Sequence, residues 1–387
     1  MAIPITYNLR SLRVRWRATL ATALSIALVV AVFVMVMALA SGLKATYINT
    51  GDNRNLLVMR RGSTAESSSQ IRRDEATRIK YLDGIARDAN NQPIASSEII
   101  VLILLDRMDG SGTANVLVRG IGPMALELRP QIKITEGRMF RAGLHECVVS
   151  RRIADRFKNC SVGQSFFTSK TEWRVVGIFD AAQTAYESEV WVDADEARDA
   201  FKRNFYGSVL LRVENPASAN ALIKRMTDDK LLGMKVQPET QYWQEQTKNA
   251  TPIQFIGSLL AIVMSIGAAF AAMNTMYAAV AARTREIGTL RVLGFRRREI
   301  YASFLLESVL LSLVGGIIGC ALSLPLNGFA AGTMSPTSFS EVAFQFRITG
   351  ELLAKGMAFA LVMGVAGGLL PARLAAQKPV LDALRSV

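Results

Sequence analysis

Charged residues disappear from this chain in long blocks. Residues 18–43 and 250–282 carry none, 301–324 carries a single acid, Glu307, and a fourth apolar stretch runs over 352–372. Each is long enough to cross a bilayer as a helix, for which about 20 residues suffice. The first block has a rival reading, because Ala38-Leu39-Ala40 resembles a signal-peptidase site. A signal core is only about 7–15 residues long, so a retained helix is the better reading of a block this size.

Between the first and second blocks the pattern changes to that of a water-exposed domain. Residues 55–59 read as a strand, 72–87 as a helix and 98–105, rich in Ile, Val and Leu, as a buried strand. Near the far end, 209–213 reads as a strand, 216–230 as a helix with Pro216 at its start, and 234–236 as a strand. Each trio has βαβ order. The stretch between them, 106–205, holds short glycine-punctuated strands at 116–119, 147–150, 173–179 and 190–192. The fold class expected is an α-helical membrane protein with four transmembrane helices plus a large extracytoplasmic α/β (α+β) domain. That domain is built from split βαβ units with an inserted strand-rich subdomain.

Charge orients these elements. Of the net +13, about +4 lies between Lys44 and Lys248 and about +9 in the shorter remainder. Arginines gather at 10–17, at 283–298, and after the last block, where Arg373, Lys378 and Arg385 follow. The positive-inside rule puts all three clusters in the cytoplasm, so both termini are cytoplasmic and the large domain lies outside. Ile5, Leu9, Leu12 and Trp16 share one helical face with Arg10, Arg13, Arg15 and Arg17 around the other, the pattern of an interfacial helix. The expected division is therefore an interfacial helix at 1–17, then membrane helices at 18–43, 250–282, 301–324 and 352–372. The outer domain is 44–249, with its insertion at about 106–205. A cytoplasmic coupling segment at 283–300, an outer loop at 325–351 and a cytoplasmic tail at 373–387 complete it. Basic residues that flank membrane blocks speak for topology and not for nucleic acid, which calls for a basic stripe on a soluble domain.

Candidate chemistry is sparse. One histidine and three cysteines leave His145, Glu146 and Cys147 without the further ligands a zinc site needs, so no metal site is expected. No Ser/His/Asp or Cys/His set can be assembled, which argues against a membrane-anchored enzyme. No G-x-x-x-x-G-K-[ST] loop is present, so no nucleotide or other cofactor site is expected in this chain. Cys147 and Cys160 would sit in an oxidising compartment, where a disulfide is one option and free thiols the other. Cys320 reads as a small apolar filler. Within 283–294, Ile287, Leu290 and Leu293 recur along one face of a short helix, with Arg285, Glu286 and Arg291 off it, a form suited to docking in a groove on a soluble partner. Glu307 lies near the cytoplasmic end of its block, within reach of Arg283 or Arg285. A carboxylate there is a structural ion pair or a solvated group, a coupling residue, or a direct participant in transport. Gly315, Gly316 and Gly319 permit close helix approach, either within one subunit or between two, and Gly364, Gly367 and Gly368 pose the same choice.

The segment RTREIGTLRVLG at 283–294, an arginine cluster after it, and FLLE at 304–307 resemble the core of FtsX-like permeases, above all the macrolide-exporter (MacB) group of ABC transporters. LVMRRG (57–62), VRGIG (118–122), EGRMF (136–140), VG (162–163), WRVVG (173–177) and RATL (17–20) fall in the order of that family's outer domain and first helix. The resemblance implies a multi-pass inner-membrane protein that dimerises with a second copy or a paralogous permease. It implies a cytoplasmic connector docked on an ABC ATPase, with Arg283, Arg285, Glu286, Ile287, Leu290, Arg291, Leu293 and Gly294 as coupling residues. Glu307, Gly315, Gly316 and Gly319 would serve helix packing or coupling. ATP and magnesium would be bound by the ATPase, here a separate chain because no fused ATPase domain is found. Motion would pass through the helices to the periplasmic domain to export or extract a drug, peptide, lipid or lipoprotein, with a periplasmic adaptor as a further partner. The alternative within the family is a non-transporting relay that controls an envelope enzyme such as a cell-wall hydrolase.

Overall fold

In the computed structural model, residues 16–229, 233–335 and 339–379 are described, so the interfacial helix read at 1–17 lies almost wholly outside them, as does the tail from 380 onward. The chain divides into a helical unit, Met1–Ser41, Thr251–Phe329 and Gln345–Val387, and an α/β unit, Gly42–Ala250 with Ala330–Phe344. In chain order the elements begin with α1 (Trp16–Ile48), β1 (Asn55–Arg60), β2 (Ile71–Arg72), α2 (Arg73–Lys80), β3 (Ala95–Asp106) and β4 (Thr113–Ile121). Then come α3 (Ala125–Leu128), β5 (Lys133–Gly137), β6 (Glu146–Ser150), α4 (Arg151–Arg156), β7 (Ser165–Thr168) and β8 (Thr171–Asp180). β9 (Glu189–Asp193), α5 (Ala194–Ala200), β10 (Phe205–Tyr206), β11 (Ser208–Arg212), α6 (Pro216–Asp228), β12 (Met234–Pro238) and α7 (Glu239–Gln246) complete the large domain. The rest is α8 (Thr251–Ala282), α9 (Thr284–Val292), α10 (Arg297–Ser323), the hairpin β13 (Ala330–Met334) and β14 (Glu341–Gln345), and α11 (Gly350–Gln377).

One ten-stranded sheet organises the α/β unit, in the order β12-β1-β11-β3-β4-β9-β6-β8-β5 with β7 on β8. β11 lies antiparallel between β1 and β3, and β1 lies antiparallel between β11 and β12. The two βαβ units, β1-α2-β3 and β11-α6-β12, are thus each split by a strand of the other, the interleaving of ferredoxin-like folds. The insertion is not a sheet of its own. β3 pairs with β11 through Ala95–Glu98 and then with β4 through Ile99–Asp106, carrying the sheet from one half into the other. Two apolar cores result. Leu56, Val58, Ile79, Val209, Leu211 and Met226 belong to the first; Ile99, Val101, Val149, Phe157, Trp173 and Val190 belong to the second.

Several elements differ from the sequence reading. The helix read at 72–87 stops at Lys80, because Gly84 takes a φ of +91° and Ile85 then bridges to Val213. Within the outer loop expected at 325–351, Ala330–Met334 and Glu341–Gln345 form the β13–β14 hairpin. α6 begins where the sequence says, with Asn215 capping Ser218 N and Pro216 in its first turn.

The helical unit follows from composition: α1, α8, α10 and α11 are the four described helices long and apolar enough to cross a membrane. The glycines singled out in α10 and α11 pack closely inside the chain. A Cβ at Gly315 would lie 2.8 Å from the Ala23 carbonyl oxygen and one at Gly319 2.5 Å from that of Ala27, so α10 rests directly on the backbone of α1. A Cβ at Gly316 would meet Ala360 Cβ at 2.8 Å, and one at Gly364 would meet Ser312 Oγ at 2.0 Å, so α10 and α11 close on each other from both sides. Gly367 faces Ala272 of α8, and Gly368 faces Ser308 of α10.

Candidate functional site

The connector α9 is held at both ends. At its start, Arg283 NH1 lies 3.1 Å from Glu307 Oε2, and both side chains are buried. Its end carries a Schellman closure: Phe295 N donates to Leu290 O, Gly294 N donates to Arg291 O, and Gly294 takes φ +93°. Only a residue free to enter the left-handed region closes a helix in this way, which explains the glycine. The chain then turns at once into α10, whose Glu299 carboxylate accepts from Arg296 N at 2.7 Å.

Between these ends the apolar stripe is divided. Ile287 is 2% exposed and packs with Met276, Val280, Ile300, Phe304, Ala372 and Ala375. Leu290 is half-buried, while Val292 and Leu293 are 65% and 70% exposed. Ile287, Leu290 and Leu293 therefore do not form one docking face, because i, i+3, i+6 spacing drifts around a helix and the bundle claims the first of the three. The exposed side consists of Arg285, Glu286, Thr289, Val292 and Leu293. Arg291 is half-buried, with NH1 3.4 Å from Phe295 O at the helix end. Glu307 sits among the buried residues of α10 with Gly315, Gly316 and Gly319, but those glycines face α1 and α11, apart from the connector.

A second cluster, to which the sequence reading gave no role, lies inside the α/β unit where β3 changes partners. Arg119 on β4 reaches Glu189 on β9 (Nε to Oε2, 2.7 Å), Glu98 on β3 (NH1 to Oε2, 2.8 Å) and Glu66 (NH1 to Oε1, 3.0 Å). Arg129 grips Glu98 with both guanidinium nitrogens, at 2.7 and 2.8 Å. All of these groups are buried. Burial raises the pKa of Glu98, but Arg129 and Arg119 beside it outweigh that and hold it below its ordinary value. The Arg129 guanidinium also lies 4.8 Å from the centre of the Tyr186 ring.

Tyr186 links this network to the roots of the unit. Its hydroxyl donates to Glu239 Oε1 at 3.0 Å, and Glu239 Oε2 accepts from Asp52 N and Asn55 Nδ2. Burial raises the Glu239 carboxyl against the pull of Arg129 and these donors. Tyr47, in the last turn of α1, stacks on Trp243 of α7 at 6.0 Å, and Gly51 passes so close to Thr240 that a Cβ would lie 2.8 Å from its Cα. The two segments by which the chain enters and leaves the unit are thus tied to each other and to its polar core. Arg119 falls within VRGIG at 118–122, so position was legible. Its partners were not, since Glu66, Glu98 and Glu189 converge only once the sheet is formed.

Cys147 and Cys160 are buried free thiols in the second apolar core. Burial pushes Cys147 well above the ordinary thiol range, with Cys160 adding to it, and lifts Cys160 to about 12. Among the described residues, no group of His, Cys, Asp and Glu could hold a metal ion.

Residues 19–229 match the MacB-like periplasmic core domain, and residues 258–380 match the FtsX-like permease C-terminal domain. The chain belongs to the MacB and FtsX family of ABC transporter permeases. The permease is 27% identical over 273 residues to the uncharacterized ABC transporter permease YknZ of Bacillus subtilis, an alignment covering 66% of each chain. It is 31% identical over 278 residues to the pyoverdine export ATP-binding/permease protein PvdT of Pseudomonas fluorescens, covering 65% of this chain and 40% of PvdT. It therefore spans two thirds or less of the length of these relatives. Among solved structures, the periplasmic region of MacB from Actinobacillus actinomycetemcomitans aligns with a TM-score of 0.39 at 12% identity, covering 51% of this chain and 94% of that one. PvdT is named as an ATP-binding/permease protein, and the long apolar helices with the periplasmic-type domain make the permease a membrane protein with a large extracytoplasmic domain.

Proposed function

We propose that this permease relays ATP-driven motion from a separate ATPase chain to its own periplasmic domain, which exports or extracts a substrate outside the membrane. The observation that carries the reading is the connector: an exposed face of Arg285, Glu286, Thr289, Val292 and Leu293 on a helix fixed by the Arg283–Glu307 pair and by buried Ile287. Val292 and Leu293 supply the apolar anchors of a small docking site, with Arg285 and Glu286 as its charged rim. In this reading the connector and both termini face the cytoplasm, in keeping with the arginine clusters. The tied roots of the α/β unit support passage of motion into it, because movement of α1 or α8 reaches a joint closed by Tyr47, Trp243 and Glu239. The permease acts as a dimer with a second copy or a paralogue, and ATP and magnesium belong to the ATPase.

The test is recovery of the ATPase with purified permease, normalised to membrane-inserted protein. Leu293→Asp places an unpaired charge in the docking face, which costs several kcal/mol on burial, and should abolish recovery while the permease inserts normally. Leu290→Asp, at a half-buried position, should instead lower the stability of the helical unit. Undiminished ATPase recovery by Leu293→Asp removes the connector from this role. Recovery of a cell-wall hydrolase that follows the ATPase, with no transport, would favour the relay without export.

A further inference from the structure

The β13–β14 hairpin sits in the chain between the membrane helices α10 and α11, yet belongs to the α/β unit. Its neck is closed by hydrogen bonds from Gly328 N to Phe346 O and from Phe346 N to Phe329 O, and Ile348 N donates to Asn327 Oδ1. Residues 327–329, which lead out of α10, and 346–348, which lead into α11, are thus paired with each other. At the other end the hairpin is fastened to the strand-rich half. Glu341 on β14 forms ion pairs with Arg107, which follows β3, and with Arg156, at the end of α4, the latter at 2.5 Å. Asn115 Nδ2 donates to Phe339 O at 3.0 Å, and Ala343 N donates to Ser188 Oγ at 2.7 Å. The carboxylate is largely shielded, at 11% exposure. It lies across β13 so tightly that a Cβ at Gly332 would come within 2.2 Å of its Oε1.

We propose that Glu341 is a positioning residue of the relay, the clamp through which α10 and α11 act on the strand-rich half of the periplasmic domain by way of Arg107 and Arg156. The inference rests on the relay reading above. It gives the domain a second input besides the roots of α1 and α8, from the opposite half of the membrane unit's sequence. A carboxylate held between two arginines from separate elements suits this task. It fixes direction as well as distance, and neither arginine alone determines where the hairpin sits.

The test uses the full chain with its co-purified ATPase in nanodiscs, spin-labelled at Met334→Cys and Lys158→Cys, both exposed. The native cysteines are buried and stay unlabelled. The unaltered clamp should give one narrow distance, Glu341→Arg a broad one, and Glu341→Arg with Arg107→Glu and Arg156→Glu a narrow one again. In parallel, the vanadate-induced change in amide exchange of the strand-rich half should fall about fivefold or more in Glu341→Arg, within the range for coupling residues, while ATP hydrolysis persists. Loss of structure alone would not spare hydrolysis or be rescued by the charge swap. If Glu341→Arg does not fold, Gly332→Ala, which pushes a methyl onto Oε1 with all charges kept, must produce the same loosening. A narrow distance and an intact nucleotide response in these variants overturn the clamp and leave the relay standing. Absence of any nucleotide response with the clamp unaltered overturns both.

Discussion

Removing one partner of the Arg283–Glu307 pair should free the connector. At 3.1 Å the two charges attract by roughly 5 kcal/mol at an effective dielectric of about 20. Most of that is offset by the desolvation both groups suffer, so the pair as a whole adds little net stability. Single loss is different, because it takes the opposite charge from a buried group, at a cost of about 3–5 kcal/mol. Glu307→Gln leaves Arg283 facing a neutral amide, and Arg283→Met takes the guanidinium away from Glu307. The tie at the start of α9 is then lost, and α9 should open without the rest of the bundle. An opening made easier by about 3 kcal/mol raises amide exchange roughly a hundredfold. Hydrogen exchange of α9 in nanodiscs, measured for both single variants and for Arg283→Met with Glu307→Leu, gives a double-mutant cycle. The singles should each exchange about a hundredfold faster or more, and the double should return most of the way, since an apolar pair removes both charges together. Unchanged exchange in the singles, or additive effects in the double, would refute a fixed connector.

Gly319→Leu should lower the thermal stability of the helical unit by about 1–3 kcal/mol or more, because Ala27 O stands 2.5 Å from the new Cβ. Gly267→Ala, with nothing within 4 Å, should be neutral or raise it by up to about 1 kcal/mol. Glu98 has a folded pKa below its ordinary 4.5, so its contribution is complete above that value and lost as the pH falls beneath it. The melting midpoint of the full chain should therefore drop below about pH 4.5, and Glu98→Gln should melt lower at neutral pH with a flatter acid slope. A cysteine at exposed Thr64 should label from outside the inner membrane with an impermeant reagent and one at Thr289 should not; the reverse would invert the orientation.

What could be read from the sequence follows from the range of the interactions involved. The apolar blocks and the two split βαβ units are local patterns, and residues such as Pro216 mark their ends through chemistry confined to a few neighbours. The partition of the connector was not readable, since Ile287 and Leu293 are equivalent in pattern and differ only in whether Phe304 and Ala372 come to cover them. The same holds for Arg119. A charged residue in a strand ordinarily points to solvent, and only the convergence of β3, β4, β9 and the turn at Glu66–Ser68 gives it three carboxylates. The glycines of α10 announced close packing, but not whether the neighbour was another helix of the same chain.

If the permease relays motion as proposed, the nucleotide state of its ATPase reaches the periplasmic domain through the connector. The most direct measurement is amide exchange of segments 42–52 and 239–250 in the reconstituted permease–ATPase complex, nucleotide-free against vanadate-trapped. A nucleotide-dependent change at these roots is expected, and it should vanish in Leu293→Asp. Identical exchange in the two states, while the intact complex turns over ATP, would contradict it.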